Sequence, residues 1–251
     1  GSCASRALTA PWEGWGRLAF EARTGGVNFA GNAAAFSGDD LTITQQNPFV
    51  LGADNILQAE DQLQIGASGR FENFGVIAGG LVDVYSSNGP TFDFLNRSTG
   101  QVIAREGLRI VVMGPRVRQF TLEASAPGAG AGLYGGALAI NAQTFDNLGV
   151  LQAAGGDSSI TADNFINHAG AQVLGFDRTG STGRLFITAR NLDNYGMLFG
   201  NSFLLTNANN FTNRATGGIG SNGLLQVQTG GLGGASNPFN NLGEGWGNQV
   251  H

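Results

Sequence analysis

The sequence has no lysine; all 13 of its basic residues are arginine. That excludes a Walker-type phosphate loop, and it excludes any enzyme that forms a Schiff base through a lysine of its own. One cysteine, Cys3, and two histidines, His168 and His251, leave no material for a disulfide framework or an ordinary zinc site. Charged side chains make up 12% of the chain, about half the usual share. A net charge of −5 speaks against a nucleic-acid partner. No strongly apolar run reaches the length of a membrane span. Only six prolines and 41% hydrophobic residues set the chain apart from a disordered linker.

Glycine is what is abundant: 42 of 251 residues, without the three-residue period of collagen. The glycines belong to a repeat. A compact motif of Phe or Leu, any residue, Asn, an apolar residue and Gly occurs four times. It reads Phe71-Glu72-Asn73-Phe74-Gly75, Phe145-Asp146-Asn147-Leu148-Gly149, Leu192-Asp193-Asn194-Tyr195-Gly196 and Phe239-Asn240-Asn241-Leu242-Gly243. A looser form, with extra residues before the glycine, runs from Phe94 and Asn96 to Gly100, from Phe165 and Asn167 to Gly170, and from Phe211 and Asn213 to Gly217. Successive asparagines lie 23, 51, 20, 27, 19 and 28 residues apart. The step of 51 holds two units, one with a degenerate motif near Phe120-Thr121-Leu122. Compact and loose copies alternate in the second half, so Asn147, Asn194 and Asn241 are each 47 residues apart.

Alternating apolar stretches flank each motif, as in Leu185-Phe186-Ile187-Thr188-Ala189 before it and Val150-Leu151-Gln152-Ala153 after it. Period-two alternation over four to six residues, bounded by Gly and Asn, reads as short strands. Helical periodicity is confined to one weak segment, 15–23. Units of about 20–28 residues with two or three short strands predict an all-β chain, a right-handed parallel β-helix whose stacked coils share one core. In that fold the Phe before each Asn forms a core ladder. The asparagines Asn73, Asn96, Asn147, Asn167, Asn194, Asn213 and Asn241 occupy corners, tolerating left-handed backbone and able to stack into an amide ladder. The glycines Gly75, Gly149, Gly196 and Gly243 are expected to supply positive-φ turns. The chain divides into a cap or leader over 1–28, a β-helix over 29–243 with an irregular insertion near 97–136, and a short tail over 244–251.

These motifs resemble the haemagglutinin-type repeats of filamentous-haemagglutinin-like bacterial exoproteins, over roughly 41–243. The resemblance implies export by two-partner secretion and an extracellular or cell-surface location. It implies an adhesive or structural role, with a glycan or protein receptor, or further copies of the chain, as partner. The family's Asn-Pro-Asn-type secretion motif is matched poorly, by Asn47-Pro48-Phe49 and Asn237-Pro238-Phe239. No signal peptide opens the sequence, and Gly1-Ser2 reads as a cloning scar; the minor reading makes Cys3 a lipid-bearing residue.

No catalytic constellation, metal site or cofactor is expected. Gly130-x-Gly132-x-x-Gly135 fits the letters of a dinucleotide fingerprint but lacks the strand before and the helix after, and reads as a loop. His168 reads as a lone solvated corner residue. Asp39-Asp40 and Glu60-Asp61 read as turn residues, and calcium at Asp39, Asp40 and Asp54 is a weak option. The one departure from monotony is 97–123, which holds five arginines, among them the binding candidates Arg105, Arg109, Arg116 and Arg118. Three functions remain open: an adhesive rod, a filament subunit joined through open β-helix ends, and a polysaccharide lyase or hydrolase working through the arginine-rich segment. Arg-carboxylate pairs that merely patch an irregular coil are the plainer reading of that segment. Glu13-Gly14-Trp15-Gly16 recurs as Glu244-Gly245-Trp246-Gly247, which would suit matched end segments.

Overall fold

A computed structural model describes residues 6–8, 12–14, 16–22, 27–29, 34–111, 117–125, 132–175, 184–201, 203–229 and 239–250. They form a β-solenoid of parallel strands, about eight coils of about 23 residues, with no helix among them. Segment 15–23, the one helical expectation, contains the strand Leu18–Ala22, paired in register with Leu41–Gln45. Tertiary pairing overrides local propensity there, because the parallel neighbour satisfies the backbone polar groups.

Each coil visits three parallel sheets, and each sheet sends one column of side chains inward. The first column runs through Ala35, Leu57, Ile77, Val102 and Leu133 to Leu151, Val173, Leu198 and Ile219, all buried. The second is mostly isoleucine: Ile43, Ile65, Val84, Ile110, Ile140, Ile160 and Ile187, then Thr206. The third is the phenylalanine ladder. Phe49, Phe71, Phe94, Phe120, Phe145 and Phe165 are fully buried and stacked, with ring centroids 4.6–5.6 Å apart and planes within 14°. The coil spacing of about 4.8 Å imposes that separation. Leu192 interrupts the ladder before Phe211 and Phe239 resume it.

The degenerate copy is a true coil. Phe120 lies in register between Phe94 and Phe145, and Leu122 between Asn96 and Asn147. Among the described residues of 97–136, where an irregular insertion is expected, the chain follows the coil. Gln101–Val111 and Val117–Leu122 are ladder strands, the former with register shifts against both neighbours; segments 112–116 and 126–131 lie outside the described residues. Gly132 and Gly135, read as loop glycines, belong to the strand Gly132–Asn147. Strand pairing also passes both boundaries drawn from the sequence: Trp12–Gly14 pairs with 35–37, and Glu244–Val250 pairs with Gly218–Thr229.

Candidate functional site

The recurring asparagines end the strands of the third sheet. Asn73, Asn96, Asn147, Asn167, Asn194 and Asn213 are fully buried. Their amides form a ladder from coil to coil: Asn147 Nδ2 donates to Asn167 Oδ1 at 2.8 Å, Asn167 to Asn194 at 2.8 Å, Asn194 to Asn213 at 2.7 Å, and Asn213 to Asn241 at 2.9 Å. Asn73 donates likewise to Asn96 at 2.8 Å. Asn147 Oδ1 in turn accepts the backbone N–H of Gly149, and Asn73 Oδ1 that of Gly75, so these two amides tie their own corner to the next.

Two expectations about these corners are corrected. No described residue other than glycine has positive φ, so the asparagines serve through their amides and not through left-handed backbone. Gly75, Gly149, Gly196 and Gly243 are not among the positive-φ glycines either, which are Gly69, Gly89, Gly132, Gly156 and Gly170. The motif glycines are required by space. A Cβ on any of the four would come within 3.0 Å of a carbonyl oxygen of the preceding coil, such as Asn55 for Gly75 or Glu123 for Gly149.

The residue after each Asn faces outward and follows the compact-loose alternation. Phe74, Leu148 and Tyr195 stand on compact corners; Arg97, His168 and Arg214 stand on the loose corners that follow. Each of these three side chains reaches back one coil to the carboxylate of the compact motif. Arg97 bonds Glu72 as well as Glu123, His168 bonds Asp146 at 2.6 Å, and Arg214 bonds Asp193 at 2.9 Å. Arg97 and Arg214 also lie over the rings of Phe74 and Tyr195, at 5.7 and 5.4 Å. His168 is therefore one of three equivalent clamps, not a lone residue. The signal for these clamps lies in the motif's variable positions, one residue before and one after the Asn.

The arginine-rich segment is not one cluster. Arg105 and Arg109 lie on Gln101–Val111, Arg118 lies on Val117–Leu122 of another sheet, and Arg116 lies outside the described residues. Arg109 makes a two-point contact with the buried carboxylate of Asp83, both bonds 2.6 Å. Arg118 does the same with buried Asp93, its Nε donating at 2.8 Å. Arg105 donates to the backbone carbonyl of Glu60. Hydrogen bonding and charge from Asp83 and Asp93 hold Arg109 and Arg118 above the ordinary guanidinium value, and Glu123 and Glu72 do so for Arg97 against its burial. An arginine raised in this way moves further from service as a general base.

Around Arg105 the ladder is deformed. Ala104 and Gly107 of this strand pair with Gly79 and Leu81 on one side and with Gly135 and Ala137 on the other. Arg105 and Glu106 thus oppose the single glycines Gly80 and Gly136, which makes a β-bulge that turns two consecutive charged side chains outward. Gly136 is needed there, since a Cβ would strike the carbonyls of Arg105 and Glu106. No group of three or more His, Cys, Asp or Glu side chains that could hold a metal occurs among the described residues. No helix among them is long and apolar enough to cross a membrane. No protein family, no curated protein and no solved structure matches this chain.

Proposed function

We propose that the chain is a non-catalytic rod of a bacterial exoprotein, acting at the cell surface or after secretion as a structural and adhesive element. The observation that supports this best is that the described arginine candidates are committed to the scaffold. Arg109 and Arg118 each hold a buried carboxylate at two points, and Arg105 holds a backbone carbonyl. A lyase would need such an arginine free to approach a sugar carbon acid and able to lose a proton. Inward columns that run from coil to coil fit a part whose task is to span distance, with recognition left to corners and outward faces.

The test is attachment. Beads coated with the purified chain are expected to adhere saturably to host-cell or bacterial surfaces, and free chain should compete. Failure to attach to any surface would remove the adhesive reading. Cleavage of a polysaccharide, lost in Arg109→Ala or Arg118→Ala, would replace it with the enzymatic one.

A further inference from the structure

Beside the bulge the solenoid surface opens into a groove of about 330 Å³. It crosses the second sheet, and its cause is visible in one outward column. That column reads Asp83, Arg109, Ala139, Ser159 and Phe186 in register from coil to coil. Long side chains at Arg109 and Phe186 bracket two short exposed ones, Ala139 and Ser159. The gap is two coils tall, about 10 Å. The accessible side chains of Leu81, Ala137 and Ala139 make its floor largely apolar, beside the backbone of Gly107.

The rim is polar and ordered. Arg109 is pinned by Asp83. Asp157 is pinned by Arg184, whose Nε donates to it at 3.0–3.1 Å while the guanidinium lies 5.1 Å over the ring of Phe186. Glu106 is exposed by the bulge, with no hydrogen bond or ion pair among the described residues. The two Arg-Asp pairs cancel, so the rim carries the single negative charge of Glu106.

We propose that this groove binds a neutral hexopyranose unit of a glycan chain. An apolar floor with a few fixed polar groups at its edge is the build of a small-ligand site. A pyranose offers an apolar C–H face to such a floor and vicinal hydroxyls to its rim. The hydroxyls donate to the carboxylates of Glu106 and Asp157 and accept from Arg109. The paired side chains are held in place before the ligand arrives, which lowers the ordering cost of binding. The lone charge of Glu106, on a chain of net charge −5, opposes uronates and other acidic sugars. The proposal rests on the adhesive reading and narrows it to one site and one sugar class.

Titration calorimetry on the intact chain tests it, with manno-, galacto- and cello-oligosaccharides as neutral probes and oligogalacturonate as the acidic one. At least one neutral probe should bind, and oligogalacturonate should not. Ala139→Trp fills the groove from an exposed position and should weaken binding at least about tenfold, with an unchanged unfolding midpoint. Glu106→Gln keeps the shape, and should weaken the neutral probe about three- to tenfold and relieve the exclusion of the acidic one. Binding of no neutral probe, binding indifferent to both substitutions, or equal binding of oligogalacturonate would each overturn the proposal. Attachment that persists in Ala139→Trp would overturn this site while leaving the adhesive reading intact; loss of all attachment by the unaltered chain would strike that reading itself.

Discussion

Asn147 donates its amide to Asn167 one coil onward at 2.8 Å, and on its other side it meets the alkyl chain of Leu122. The amide ladder is broken there, and Asn96, which would have donated to the missing amide, turns to the carbonyl of Gly100 at 2.8 Å. Asn147→Ala should cost about 2–3 kcal/mol, because it strands the Gly149 N–H and removes the donor to Asn167 in a dry corner. Leu122→Asn should complete the ladder. It gives up apolar burial but gains partners on both sides, so it should be more stable than Leu122→Ala by at least about 1 kcal/mol. Urea denaturation of the three variants measures both differences.

Thr206 stands in the isoleucine column, fully buried between Ile187 and Val227, and its hydroxyl has no hydrogen-bond partner among the described residues. Thr206→Val removes an unsatisfied polar atom without changing shape. It should raise stability by about 1 kcal/mol, read as a higher urea midpoint with an unchanged slope.

Gly196 and Gly155 separate space from flexibility. A Cβ at Gly196 would drive into the carbonyl oxygens of His168 and Ala171, while one at Gly155 meets nothing within 4 Å. Neither has positive φ. Gly196→Ala should therefore destabilise by about 1–3 kcal/mol, and Gly155→Ala should stay within about 0.5 kcal/mol of the parent. Equal effects would contradict the steric account of the motif glycines.

Arg184 holds the Asp157 carboxyl below its ordinary value, chiefly by side-chain hydrogen bonding. A depressed carboxyl contributes stability that is present above its unfolded pKa, about 4, and is lost as pH falls through the folded value. Both side chains are about half exposed, so solvent screening keeps the contribution small. Asp157→Asn should be slightly less stable than the parent at pH 6, and in urea titrations the difference should close as pH falls through the folded-state carboxyl value.

Much of this fold was legible because its determinants are local and recur. Phe71, Phe94, Phe145 and their copies announce an inward column by spacing alone, and the asparagines two residues on mark where each strand of the third sheet ends. The role of the glycines was misread because the sequence reports that a side chain is missing, not whether torsion or crowding requires it. Gly75 and Gly170 look alike in the chain, yet only Gly170 has positive φ. The groove was hidden for another reason. Seeing that Asp83, Arg109, Ala139 and Ser159 share a column needs the register of coils of unequal length, and the extra residue at Arg105-Glu106 shifts that register. The segment 97–123 was singled out for its arginines. What sets it apart is the bulge and the two small residues one and two coils beyond it.

A chain built of near-identical turns is ambiguous to itself, since any coil offers its neighbour the same phenylalanine, asparagine and isoleucine to rest upon. The corner clamps reduce that ambiguity. Glu72, Asp146 and Asp193 are each met one coil later by Arg97, His168 or Arg214, and a compact coil set upon another compact coil would face each carboxylate with Phe, Leu or Tyr and leave it without a partner. Partly exposed contacts of this kind add little to how firmly the coils hold, but they favour a loose coil after a compact one over two compact coils in succession.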